Sequence, residues 1–265
     1  MNRLSYAILL TCGIPVGLVA QETPSAPTLI FTIHAGVAGG HSLWSVPKQP
    51  ICTTSCSAHD TLRISRSVGS GLTAGLTVTY FPGAHVGYYG EASFVGLSLD
   101  DNCSEIFVAG GSGSVNDVLC RVVTGKSITM GAVSFIGGVT LRAGPVSGVT
   151  PYVVLGGGLL AFSQSTLDMS GDLVTGGVVE RVSIVVDNSP ARVSPVGTFG
   201  VGLRVRSGAG YGVRLGVEDL IAKFERLEGP VNAIGQGPVT KKFYHHFVVR
   251  FGLDVVLERK RGRRY

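Results

Sequence analysis

Apolar and polar positions alternate with period two along most of the chain, clearest at its C-terminal end. Phe247, Val249, Phe251, Leu253, Val255 and Leu257 share one face; His246, Val248, Arg250, Gly252, Asp254 and Val256 share the other. Successive side chains of a strand point to opposite faces, so this reads as a β-strand with an apolar wall on one side and charge on the other. Tyr211, Val213, Leu215 and Val217 oppose Gly212, Arg214, Gly216 and Glu218. Phe199, Val201, Leu203 and Val205 likewise oppose Thr198, Gly200, Gly202, Arg204 and Arg206, and Leu72, Ala74, Leu76, Val78 and Tyr80 oppose Thr73, Gly75, Thr77, Thr79 and Phe81. Each run holds about ten residues, the length that crosses a bilayer at a tilt. Weaker alternation at Leu29–Gly40, His85–Leu97, Lys126–Arg142 and Thr150–Phe162 raises the expected count to about eight; Gly156-Gly157-Gly158 leaves the faces of the last of these open.

The spaces between the runs follow a rhythm. Tight turns at Phe81–His85, Ala143–Val149 and Ser207–Gly210 carry Gly or Pro, and they alternate with long connections at Ser42–Gly69, Asp100–Thr124, Ser163–Ser194 and Ala222–Lys242. Three short and four long connections require eight strands, with both termini on the short-turn side. The expected fold is all-β: an antiparallel up-and-down transmembrane β-barrel with short periplasmic turns and long extracellular loops.

Composition supports export. Met1–Arg3 is basic, Leu4–Val19 largely apolar and Ala20 small, the layout of a secretory signal peptide. Gly13, Pro15 and Gly17 interrupt a run already short for a helical span, and Thr11-Cys12 is a poor lipoprotein site. The expected organisation is a signal peptide over 1–20, a barrel domain over 21–258 and a basic tail over 259–265. The 39 glycines, the 15% charged residues and the lack of any other apolar stretch near 20 residues exclude helical membrane spans. Four cysteines remain in the mature chain, and three connectivities are open. Cys52–Cys56 and Cys103–Cys120 are favoured because each pair lies within one connection. The Cys-x-x-x-Cys spacing is not that of a zinc ribbon, and an oxidising compartment disfavours free thiolates.

A soluble lipocalin-like meander would invert the faces, with apolar residues inside. Gly-rich faces bearing Glu91, Arg204, Arg214, Glu218, Arg250 and Asp254 instead suit a crowded polar interior in which charges of both signs pair. The chain resembles the small outer-membrane barrels of the OmpA/OmpX type in its leader, strand and loop rhythm and last strand. That resemblance implies an assembly signal read by the barrel-assembly machinery, with Gly252, Val255 and Leu257 at its spacing, although the chain continues beyond it to Tyr265. Outer-membrane lipid and an extracellular ligand at the loops are the other expected partners, and a monomer is expected.

Chemistry is hard to find. Deacylase barrels of this size carry a His-x-Ser pair, but His41-Ser42 is adjacent and His245-His246 leads into Phe247-Val248. Gly111-Ser-Gly-Ser-Val115 lacks the second Gly of a nucleophile elbow. His34, His85 and His245 have no ligand spacing, and the glycines open no phosphate-binding helix. No enzyme activity, cofactor or metal is expected. The tail Arg259, Lys260, Arg261, Arg263 and Arg264 supplies most of the net charge of +5; its lack of interleaved aromatics argues against nucleic acid and leaves a solvated terminus or contact with anionic headgroups. The expected role is structural or surface-interacting, through disulfide-braced loops. A narrow pore or a lateral route for small apolar molecules is the alternative, and a soluble ligand binder the second.

Overall fold

The computed structural model describes residues 27–52, 56–107, 120–124, 127–143, 148–175, 177–188, 192–206, 210–232 and 234–258. The expected signal peptide and basic tail lie outside them. Among the described residues twelve strands follow in order: β1 (Thr28–Ala38), β2 (His41–Cys52), β3 (Cys56–Val68), β4 (Gly71–Phe81), β5 (Val86–Phe107), β6 (Ser127–Arg142), β7 (Gly148–Phe162), β8 (Met169–Thr175), β9 (Val178–Val185), β10 (Val193–Arg206), β11 (Tyr211–Leu227) and β12 (Val239–Glu258). Eight of them, β1, β4, β5, β6, β7, β10, β11 and β12, pair antiparallel in an unbroken ring. The ring closes where the first strand meets the last, in a register running from Thr28–Glu258 to Ala38–Val248.

Alternation decides which residues point inward. On β12, His246, Val248, Arg250, Gly252, Asp254 and Val256 are buried, while Phe247, Val249, Phe251, Leu253, Val255 and Leu257 are exposed. The same division holds on β4, β10 and β11, so the outside of the ring is a belt of Leu, Val, Ile, Phe and Tyr. Eleven residues of tilted strand, Phe247–Leu257, give that belt a height of about 25–30 Å. A soluble meander has the opposite faces. On β7, where the triple glycine left the faces open, Tyr152, Val154, Leu160 and Phe162 point inward. No helix among the described residues is long and apolar enough to cross a membrane.

The long connections differ from their expected form. Much of Ser42–Gly69 is the hairpin β2–β3, whose second strand pairs with the distal half of β5, Leu99–Phe107. The connection expected at Asp100–Thr124 therefore begins as strand. Ser163–Ser194 contains the separate hairpin β8–β9, and Ala222–Lys242 begins and ends in the extended ladder of β11 and β12. These pieces share an apolar core that runs on into the upper bore of the ring. Leu43, Trp44 and Val46 of β2 pack with Leu62 and Ile64 of β3, Leu99, Met130, Leu167, Met169, Val185, Leu227 and Val231. The result is a cap on the end of the ring that carries the long connections.

Hydrogen bonds fasten the cap to its rim. The Gln49 carboxamide brackets the Val231 backbone, donating to its carbonyl at 2.9 Å and accepting from its N–H at 2.7 Å. Arg66 makes a two-pronged bond to Asp101, 2.6 and 2.8 Å, with both side chains fully buried, and also donates to the Asp168 carbonyl. Cys103, on β5, is disulfide-bonded to Cys120 on a single helical turn over 120–123. Thr124 secures that turn by donating its hydroxyl to the Cys103 carbonyl at 2.9 Å. Cys52 and Cys56 face each other in the β2–β3 register; a bond between their side chains lies outside the described residues. Replacing Cys103 and Cys120 with serine is expected to lower cap stability by about 3 kcal/mol, the chain-entropy value for a loop of this size. Urea unfolding of oxidised protein and of the double variant checks it.

Candidate functional site

The inward faces stack in layers along the ring. At the short-turn end Ile30, Phe81 and Val256 form a small apolar cluster. Arg142 lies 3.9 Å above the Phe81 ring and donates to the Ala84 carbonyl, covering that end. Above it, the six interior charges sit in two groups. Asp254 of β12 meets Arg204 of β10 at 2.5 Å and accepts the Thr32 hydroxyl of β1 at 2.6 Å. Arg250 of β12 stands between two carboxylates, Glu91 of β5 at 2.7 Å and Glu218 of β11 at 2.9 Å. Glu218 is shared with Arg214, four residues back on the same face of β11, at 3.3 Å.

Tyr152 of β7 joins the two groups. Its hydroxyl accepts from Arg214 Nε at 3.0 Å, and its ring lies beneath the guanidinium groups of both Arg214 and Arg204, at 4.9 and 5.9 Å from the centroid. The ring fits because the inward positions beside it are Gly202 and Gly216, register partners on β10 and β11; a Cβ built on either would overlap the tyrosine. His34 stands 3.9 Å from Glu91, and the Thr77 hydroxyl donates to the same carboxylate at 3.3 Å. Three arginines face three carboxylates, so the layer is neutral. This matters because buried charges left unmatched cost several kcal/mol each.

The network thus brings together Glu91, Arg204, Arg214, Glu218, Arg250 and Asp254. Sequence reasoning missed Tyr152, Thr32 and Thr77 and gave His34 no place in it. The two inward glycines on adjacent strands were the available signal, since a pair of missing side chains calls for one large neighbour. Gly252 faces inward too, where a Cβ would come 2.9 Å from Thr32 Cγ2; Val255 and Leu257 lie on the outer belt.

The upper bore is apolar. Ala38, Val95, Leu97, Ala132, Leu160, Val196, Leu220 and Ala222 line it, and it encloses a cavity of about 20 Å³. At its neck Phe224, Tyr244, His41 and His246 stack edge and face, with the His41 ring 4.8 Å from Tyr244 and 4.3 Å from His246. Burial holds the His41 imidazole below its ordinary value of 6.5. As pH falls through that value the opened cap takes up a proton that the closed cap refuses, so closure weakens on the acid side. Protease cleavage within residues 41–68 is expected to be faster at pH 5 than at pH 7.5, and His41→Phe is expected to flatten that difference.

Comparison with known proteins adds similarity of shape only. No family model and no curated protein sequence matches the chain. Among solved structures it is similar to OprG from Pseudomonas aeruginosa, with 13% identity and a TM-score of 0.47 over 89% of this chain and 98% of that one. It is also similar to Neisserial surface protein A, 11% and 0.43 over 88% and 99%. The outer-membrane protein AlkL gives 12% and 0.42 over 99% of each chain. Strand number, connectivity and the outward apolar belt, read from this chain itself, are those of a small eight-stranded up-and-down transmembrane β-barrel.

Proposed function

We propose that residues 1–20 export this chain and that it sits in a bacterial outer membrane. The three short turns then face the periplasm, and the capped end faces outward. There it acts as a closed, non-catalytic barrel whose disulfide-braced outer end meets an external partner. The double closure of the bore carries this reading: a neutral charge layer fills the lower half, and an apolar neck and cap fill the upper half. Interior charges committed to one another leave none to guide ions, and surface loops set on a rigid frame are where recognition concentrates. The belt would be solvated by outer-membrane lipid, β12 would present Gly252, Val255 and Leu257 to the assembly machinery, and the barrel would work as a monomer.

Two measurements test it. The refolded protein is expected to run faster on detergent gels before heating than after, and to fractionate with outer membranes. In planar bilayers the wild type is expected to give no stable ion steps; steps that vanish on changing Arg250 would establish a narrow pore instead.

A further inference from the structure

The wall of the ring splits between β10 and β11. Pairing between β10 and β11 stops at Val196–Ala222. Beyond that point β10 continues as Val193–Pro195 against β7, while β11 continues as Lys223–Leu227 against β12. Pro195 has no N–H with which to extend a ladder. A side-chain bond crosses the gap, from the Ser194 hydroxyl to the Lys223 carbonyl at 2.7 Å.

A cleft of about 200 Å³ occupies the split. Phe162, Val193, Pro195 and Phe224 give it an apolar side; Lys223, Glu225 and Lys241 give it a charged one. Glu225 is matched by Lys241 at 3.3 Å. Lys223 has no carboxylate partner among the described residues and lies 5.4 Å over the Phe243 ring. The cleft therefore carries a net positive charge beside an apolar floor. It also stands near the edge of the belt: on β11 and β12 the outward apolar run is interrupted after Val217 and Phe247 by Asp219 and His245, bonded at 2.6 Å, and Phe243 beyond them is again exposed.

We propose that this cleft binds the phosphorylated headgroup of an outer-leaflet lipid. Lys223 and Lys241 take the phosphate, and the first methylenes of an acyl chain lie on Pro195 and Val193. The inference rests on the membrane orientation proposed above. Charge and position select the occupant: an anion is attracted by the lysines, and only a ligand anchored in the bilayer meets the apolar floor from the side.

The test uses full-length refolded protein in zwitterionic detergent, with a diphosphorylated glycolipid, its dephosphorylated form and inorganic phosphate as probes. Bound lipid is read by native mass spectrometry. The diphosphorylated lipid is expected to be retained. Lys223→Gln is expected to weaken it about 5-fold and Lys223→Gln with Lys241→Gln about 30-fold, from roughly 1 kcal/mol per lysine near an anionic surface. Lys48→Gln, at an exposed position of β2, is expected to change nothing. Equal binding by the folded double variant or by the dephosphorylated lipid would overturn the proposal, and displacement by inorganic phosphate would make this a free-anion site. Loss of the heat-dependent gel shift in the wild type would instead overturn the membrane barrel, and the cleft's role with it.

Discussion

Replacing Arg250 with methionine is expected to destabilise the folded barrel by about 3–5 kcal/mol, the cost of leaving buried charges without their partner. Arg250 is 3% exposed and holds Glu91 and Glu218 apart with one guanidinium group, at 2.7 and 2.9 Å. Methionine keeps much of the volume, so the loss is electrostatic rather than a cavity. The remaining Arg214 reaches only Glu218, at 3.3 Å, which leaves Glu91 with His34 and Thr77. Adding Glu91→Gln to the variant is expected to recover a large part of the loss, because the carboxylate that most needed the arginine is then neutral. Urea unfolding followed by the gel shift measures both. A loss below about 1 kcal/mol for the single variant would show that the interior is wet enough to solvate the two carboxylates.

Trp44→Ala is expected to cost the cap about 3–5 kcal/mol while leaving the ring closed. Trp44 is 1% exposed in the cap core and reaches the Thr166 carbonyl with its indole N–H at 3.4 Å. Truncation opens a void between β2 and the 163–169 segment, which the Arg66–Asp101 pair and the Gln49–Val231 bonds cannot fill. Cap and ring are different cooperative units in this view. The variant should therefore be cut rapidly within residues 41–68 yet keep its heat-dependent mobility. Loss of the mobility shift along with protease resistance would show one unit instead of two. Trp44 is the only tryptophan of the chain, so acrylamide quenching of the wild type reports cap opening directly.

The wall strands were legible because each has one face against an apolar surround and one against small or charged neighbours, and Phe247–Leu257 displays this with no break. The cap strands were not. Along β2–β3 the register shifts between Ser42 and Trp44, between Val46 and Gln49 and again between Pro50 and Cys52, so period two is broken before it can be counted. Inward charges could be identified one strand at a time, but their partners could not. The contact of Glu91 with Arg250 depends on how β1, β4 and β5 are staggered against β12, and no single strand records that stagger. Tyr152 stayed hidden because Gly156, Gly157 and Gly158 carry no side chain to betray a face.

The closing of the ring by its first and last strands has a consequence for timing. Thr32 and Asp254, bonded at 2.6 Å, are separated by 222 residues. Asp254 and Arg250 both belong to the last strand, so Arg204 has no carboxylate and Glu91 no arginine until that strand arrives. A half-built barrel would hold arginines and carboxylates facing an open, wet channel, where pairing gains little. Docking of β12 excludes the water and completes both groups at once, so the charges reward only the finished ring. Assembly should then proceed as a single late step, and chains shortened before Arg250 should accumulate as open sheets that proteases remove.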